Sequence, residues 1–436
     1  MNKRSRVLII LLILIAFLVI TGCTSEREGS DQDEIDDNEE TNGGTTNQNH
    51  TEPDPCGNEI GNGLEIVRGP LEPDQPADRD SVFYSLAVDP LNQDIVFVGT
   101  ERNGIFRSID GGVTWEWLRK GIKHTEFGYP EIYYISISPL GSNIAVFAAT
   151  TNGPSPLIGQ YASGAGIYKL LDNGDVWVSS NCGLAHEGLH TVVFDNNNPD
   201  ILLAALSAEK PTASQLQDFI FPGGIYKSSD LGKNWYETNT PLGNDENEFH
   251  LIYSRGLSST TFFTYGYNFA EPSLNLGFLK STDGGENWIT FGPFGSNNQI
   301  YSFDISSDAM VFYAYEYSDQ TKWMHKSIDG GENWTTKAGP FFGVVKVSPD
   351  NSNLVLFFGS YPPDYQSFKI YKSDDGLESY SDVLNLQKVV LDIEFAPSNP
   401  EIVYAACEGY DIYKSSDAGS TWIKLVNLRS EIININ

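Results

Sequence analysis

The chain has 436 residues and carries 58 Asp or Glu against 27 Lys or Arg, a formal net charge of −31. That balance excludes nucleic acid as a partner, because a phosphate backbone selects a basic surface, and it excludes adhesion to anionic lipid head groups. Hydrophobic residues at 40% support a folded core, and plentiful Tyr, Phe, Gly, Asn and Ser with few helix formers indicate an all-β chain.

The first 22 residues read as a targeting segment. Lys3, Arg4 and Arg6 precede an uninterrupted apolar run over 7–20, and Thr21 and Gly22 lead into Cys23. The run falls short of the ~20 residues that a spanning helix needs. Ile20-Thr21-Gly22-Cys23 resembles the lipobox of bacterial lipoproteins. The resemblance implies that Cys23 is lipidated, becomes the new N-terminus and anchors the protein to the membrane on its extracytoplasmic side. Residues 23–57 form a linker, with eleven Asp or Glu against one Arg between Thr24 and Pro55. Self-repulsion keeps such a segment extended, as a spacer that cannot bury enough apolar surface to fold. With Cys23 lipidated, Cys56, Cys182 and Cys407 remain, and spacing alone does not choose which two pair.

Residues 58–436 are expected to form one domain built of repeats. In the first unit 82–88 reads as a strand, Asp89-Pro90 opens a turn, and 95–100, 104–108 and 115–118 read as three more strands. Between the third and fourth strands lies Ser108-Ile-Asp110-Gly-Gly112-Val-Thr114-Trp115. This turn recurs with Asp172 and Trp177, Asp230 and Trp235, Asp283 and Trp288, Asp329 and Trp334, Asp375 and Tyr380, and Asp417 and Trp422. The seven aspartates fall 42 to 62 residues apart. Four strands per unit of that length predict the blades of a seven-bladed β-propeller of four-stranded antiparallel sheets. Segment 64–67 or 431–435 could join a terminal blade and tie the ring.

The turn chemistry accounts for the repeat without catalysis. Asp and Ser side chains bond a tight turn's own backbone, Gly permits positive φ, and Trp packs its large face at the start of the fourth strand. Ser-x-Asp-x-Gly-x-Thr/Asn-Trp resembles the Asp-box, or bacterial neuraminidase repeat, across nearly all of 81–425. That resemblance implies a propeller of the superfamily that holds sialidases, xyloglucanases, sortilin-type receptors and photosystem II assembly factors. It implies no single activity, and the acidic chain departs from the basic patch of the assembly-factor group.

Up-and-down strands place the second-to-third and fourth-to-first connections on one face and the repeat turns on the other. The second-to-third connections of units two to six are read as long loops that raise one side of that face. They are rich in aromatic residues, among which Tyr161, Phe221, Tyr267, Tyr317, Trp323 and Tyr365 are candidates for binding a glycan or a protein partner. The fourth-to-first connections bring His124, Glu126, His186, Glu187, His190, Glu248 and His250 to the same face. Of these, Glu126, Glu187 and Glu248 are the candidates for a glycosidase carboxylate pair. His186-Glu187-Gly188-Leu189-His190 matches the His-Glu-x-x-His string of zinc proteases. That string binds metal on a helix, and here a Gly interrupts it and His190 opens a strand, so no metal is expected. A sialidase would need three convergent arginines, and Arg68, Arg102 and Arg255 are the candidates.

These readings converge on a lipid-anchored, extracytoplasmic, monomeric propeller. It is expected to bind an extracellular glycan or protein through its loop-rich face, with no cofactor and no metal. The alternative is a glycoside hydrolase acting on extracellular polysaccharide.

Overall fold

The computed structural model describes residues 83–425 and Leu428, apart from 102, 124–128, 142, 152–164, 172–173, 196, 207–222, 241–246, 255–259, 269–276, 293–298, 319–320, 339–342 and 361–367. Cys23, the linker, and the segments 64–67 and 431–435 lie outside the described residues.

Seven four-stranded sheets follow one another, each taking four consecutive strands in antiparallel order. Blade 1 is β1 (Phe83–Val88), β2 (Val96–Thr100), β3 (Ile105–Ser108) and β4 (Glu116–Trp117). Blade 2 is β5 (Glu131–Leu140), β6 (Asn143–Thr151), β7 (Ile167–Leu171) and β8 (Val178–Ser179). Blade 3 is β9 (Leu189–Asp195), β10 (Asn198–Leu206), β11 (Gly224–Ser228) and β12 (Tyr236–Glu237). Blade 4 is β13 (Asn247–Ser254), β14 (Phe262–Asn268), β15 (Gly277–Ser281) and β16 (Ile289–Phe291). Blade 5 is β17 (Gln299–Ile305), β18 (Phe312–Ser318), β19 (Thr321–Ser327) and β20 (Thr335–Ala338). Blade 6 is β21 (Val345–Val347), β22 (Val355–Ser360), β23 (Phe368–Ser373) and β24 (Ser381–Leu386). Blade 7 is β25 (Val390–Phe395), β26 (Val403–Cys407), β27 (Asp411–Ser415) and β28 (Ile423–Lys424). The protein is a seven-bladed β-propeller.

The second strands are buried on both faces, as Val96–Thr100 and Val403–Cys407 are throughout. A sheet with two covered faces needs a continuous apolar run rather than alternation. Each seam between blades holds its own apolar cluster. Phe263, Phe278, Phe303 and Phe312 join blades 4 and 5, and Val96, Val98, Tyr404, Ile412 and Leu428 join blade 1 to blade 7. The ring therefore closes by packing, with β1 against β25, and each terminal blade is complete with its own four strands.

The repeat turns form a self-contained hydrogen-bond device. In blade 1 the Ser108 hydroxyl donates to Asp110 Oδ1 at 2.8 Å and accepts from Gly112 N at 2.8 Å. Thr114 donates to Asp110 from its backbone N at 2.9 Å and from its hydroxyl at 2.6 Å. Blade 4 repeats this with Asn287 on Asp283, and blades 3, 5, 6 and 7 repeat it on Asp230, Asp329, Asp375 and Asp417; Asp172 lies outside the described residues. Partial burial pushes the Asp283 carboxyl up, but the bonds from Asn287 and Ser281 outweigh it and hold the group at about 2. The Ser379 and Thr421 hydroxyls, with their backbone N–H groups, likewise hold Asp375 and Asp417 at about 2.

In five blades the basic residue just before the turn reaches the next blade. Arg107 Nη1 donates to Gly174 O at 3.1 Å, Lys326 Nζ to Gly376 O at 2.8 Å and Lys372 Nζ to Ser420 Oγ at 2.8 Å. Lys227 pairs with Glu286 at 2.7 Å, and Lys414 Nζ donates to Gly111 O at 3.1 Å, across the seam between last and first blades.

The tryptophans divide into two kinds. Trp115, Trp288, Trp334 and Trp422 donate from Nε1 to the Gly carbonyl of their own turn, as hairpin packing predicts. Trp177 and Trp235 instead donate backwards, to Leu118 O at 2.9 Å and Ser180 O at 2.7 Å in the preceding blade. There Gly121 and Gly183 hold φ of +92° and +91°, and a Cβ on either would meet the carbonyl oxygen of Trp177 or Trp235 at 2.0 Å. Only Gly fits a crossing that close.

Candidate functional site

The first strands stand side by side around the axis, β1 on β5, β5 on β9, β9 on β13, β17 on β21, β21 on β25 and β25 on β1. They line the channel. Their ends next to the second-to-third connections open on the loop-rich face, and there nearly every first strand carries a bulge. Tyr84, Tyr133, His190, Tyr301 and Leu391 are each an extra residue passed over by the partner strand. In β13 the extra residue falls between Phe249 and Ile252, the positions of His250 and Leu251. A bulge interrupts the ladder, so irregular backbone positions recur on these strands around the channel mouth, four of them Tyr or His. The Tyr133 and His190 rings meet edge to face with centroids 5.1 Å apart across the blade 2–3 seam.

Below this mouth, blades 5 to 7 place charged groups on adjacent first strands. Lys346 Nζ lies 2.7 Å from Glu394 Oε2 and 3.6 Å from Asp392 Oδ1. Asp392 Oδ2 accepts from Leu86 N at 3.0 Å across the closing seam, and Asp304 Oδ2 accepts from Val347 N at 2.8 Å across the blade 5–6 seam. Burial in the channel pushes the Asp392 and Glu394 carboxyls up, against the pull of the Lys346 ammonium. Negative charge on Asp392 and Asp304 adds to the rise at Glu394. Sequence reasoning missed this cluster. Its signal was the charge at alternate positions of an otherwise apolar first strand, Asp392 and Glu394 around Ile393.

The expected site residues separate into three groups. Glu126, Tyr161, Phe221 and Tyr365 lie outside the described residues, as do His124 and the three arginines. Glu187 is half-buried at the blade 2–3 connection; its carbonyl accepts from Gly166 N at 2.9 Å, and its charge adds to the rise of the Tyr168 hydroxyl, which burial pushes up first.

The others sit on strands rather than loops. Glu248 and Tyr267 are directly opposed ladder partners of β13 and β14. His190 and His250 lie within β9 and β13. Tyr317 pairs with Lys322 and Trp323 with Glu316 along β18 and β19. The expected blade 5 loop is thus a hairpin that leaves only 319–320 between its strands, because Phe-Tyr-Ala-Tyr-Glu-Tyr and the run from Thr321 continue pairing. The longer second-to-third connections are those of blades 2, 3, 4 and 6, which span 152–166, 207–223, 269–276 and 361–367 and lie mostly outside the described residues. No group of three or more potential metal ligands occurs among the described residues. Cys182 is disulfide-bonded, and Cys407 is a free thiol sealed in β26, where burial pushes it up to about 12.

This geometry defines a propeller with an axial channel, an irregular mouth on one face and ordered turns on the other. Comparison with solved structures agrees. The chain is similar to an ancestral GH74 enzyme at TM-score 0.58 and 14% identity, covering 79% of this chain and 46% of that one. It therefore spans about half the length of that enzyme. It is also similar to YCF48 from Cyanidioschyzon merolae, at TM-score 0.52 and 15% identity over 77% of this chain and 96% of that one. YCF48 bound to D1 peptide aligns at TM-score 0.51 and 13% identity, over 77% and 93% of the two chains. No family model matches the sequence, and no curated protein matches it.

Proposed function

We propose that this protein is a binding propeller that receives a protein segment at the channel mouth on its loop-rich face. The ring of bulged positions, Tyr84, Tyr133, His190 and Tyr301 among them, is the observation that carries this reading. Ladder hydrogen bonds are given up there on six of the seven first strands, which a purely structural barrel would not require. YCF48, a propeller of the same fold, has been captured with a peptide, so the shape is compatible with such a guest. Lipidation of Cys23 and an extended acidic spacer would hold the domain off an extracytoplasmic membrane surface. A glycan guest is a separate reading that the polysaccharide panel below distinguishes.

Cross-linking and affinity capture of the anchored protein should recover one stoichiometric partner protein. Tyr133→Ala with His190→Ala should weaken capture by about 2 kcal/mol, roughly thirtyfold. Undiminished capture by the double variant sinks the mouth as the site. The GH74 likeness motivates the alternative, a glycoside hydrolase. A polysaccharide panel assayed with the unaltered protein and with Glu126→Gln, Glu187→Gln and Glu248→Gln should show no hydrolysis; turnover abolished by one of these changes would replace the binding reading.

A further inference from the structure

Away from the channel, three side chains in blade 5 stand in a hydroxyl–imidazole–carboxylate row. Glu316 on β18 and His325 on β19 are buried, with 4% and 8% of their side chains exposed, and Glu316 Oε2 lies 2.8 Å from His325 Nε2. The other ring nitrogen, Nδ1, lies 2.9 Å from the Thr336 hydroxyl on β20. Strand register explains the row, since His325 is paired directly with Thr336 and sits two residues beyond Trp323, the partner of Glu316. Burying an acid and an imidazole together has a desolvation cost that apolar side chains would avoid.

The row ends on an exposed residue. Thr336 lines a recess of ≈ 370 Å³ at the outer rim of the blade 4–5 seam, with Gly292, Gly331, Glu332, Asn333 and Trp334. The roles fall out of the chemistry. With the imidazole proton on Nε2, the nitrogen nearer the carboxylate, Nδ1 carries the lone pair that accepts the Thr336 hydroxyl, and the 2.9 Å contact is compatible with that tautomer. Asn333, whose amide donates to Asp329 Oδ2 at 2.7 Å, also lines the recess. Triads are recognised by such geometry and roles, not by sequence position.

We propose that Thr336 is a nucleophile, with His325 its general base and Glu316 the positioning residue, and that the recess accepts small uncharged esters. Glu332 at the rim and the acidic surface disfavour anionic substrates. In the first step Thr336 Oγ bonds the acyl carbon as its proton passes to His325 Nδ1. The bond to the leaving oxygen breaks, and that oxygen takes the proton from His325. In the second step water attacks the acyl-threonine and gives a proton to His325; the bond to Thr336 Oγ breaks as that oxygen takes the proton back from His325, so that one ester and one water yield one acid and one alcohol. The site lies on the rim, separate from the channel mouth, and does not depend on the binding reading.

The test treats the full chain with p-nitrophenyl acetate, following nitrophenolate release and locating the acetyl group by peptide mass spectrometry. Thr336 should be acetylated first, and Thr336→Ser should retain the reaction. Thr336→Ala, at an exposed edge position whose change should leave the thermal melt intact, should lower the rate about a hundredfold. Glu316→Gln should lower it while leaving Thr336 the acetylated residue and shifting the acid limb of the pH profile, which a merely structural role would not do. Acetyl found only on lysines, or Thr336→Ala reacting as fast as the unaltered protein, overturns the proposal.

Discussion

At the residue scale, the acidic side chains of this chain do opposite things in different places. The repeat-turn aspartates are stabilised as anions by their own turns, so their folded values lie below the ordinary range, at about 2 for Asp283, Asp375 and Asp417. The stability they supply is fully present above the unfolded value of about 3.9 and is lost as pH falls towards 2. Thermal melts between pH 6 and pH 2 should show a falling acid limb, and Asp283→Asn combined with Asp417→Asn should flatten it while lowering the melting temperature near neutrality. A limb of unchanged steepness would remove the turns as its cause. These carboxylates were legible as structural in the sequence because every bond they make lies within four residues. Asp392 and Glu394 are raised instead, first by burial, and no local pattern distinguishes their roles from those of a solvated strand face.

At the element scale, blades are held to their neighbours by backward and forward reaches. Trp177 is buried, and its indole N–H satisfies the Leu118 carbonyl of the blade before. Trp177→Phe leaves that carbonyl without its donor and should cost about 1–3 kcal/mol, read from denaturant midpoints at unchanged slope. Gly121→Ala forces a Cβ onto the Trp177 carbonyl at a φ that only Gly adopts readily, and a loss above about 2 kcal/mol is expected from such a collision. An effect smaller than that of an exposed Gly141→Ala change would show the crossing to be loose. Four of the outer strands meanwhile manage their edges by brevity. β4, β8, β12 and β28 hold two residues each, too little backbone to template another chain.

At the scale of the whole molecule, closure depends on residues more than 300 positions apart. Leu86 N on Asp392, Tyr404 OH on Gln93 O and Lys414 on Gly111 O all cross one seam. Lys414→Met removes a charge-assisted bond of the same kind that joins other blades, and a loss of about 1.5–3 kcal/mol is expected. Hydrogen exchange should quicken first in β1 and β25, while β14 and β18 on the far side of the ring keep their protection. Uniform quickening would mean that the ring opens as a unit rather than at this seam.

The sequence by itself determined the number of blades, the strand order and the face on which the repeat turns lie. Each rests on a local rule, a turn whose Asp, Gly and Trp bond within one hairpin, repeated until it counts the ring. What only the tertiary structure decided is where ladders stop and where they break. Tyr317 and Trp323 extend a hairpin because strands across from them supply partners, and Tyr84, Tyr133 and His190 leave the ladder because the first strands crowd round an axis that no single repeat contains. The charged channel belongs to the same class, since residues 304, 346, 392 and 394 meet only when blades 5, 6 and 7 pack side by side.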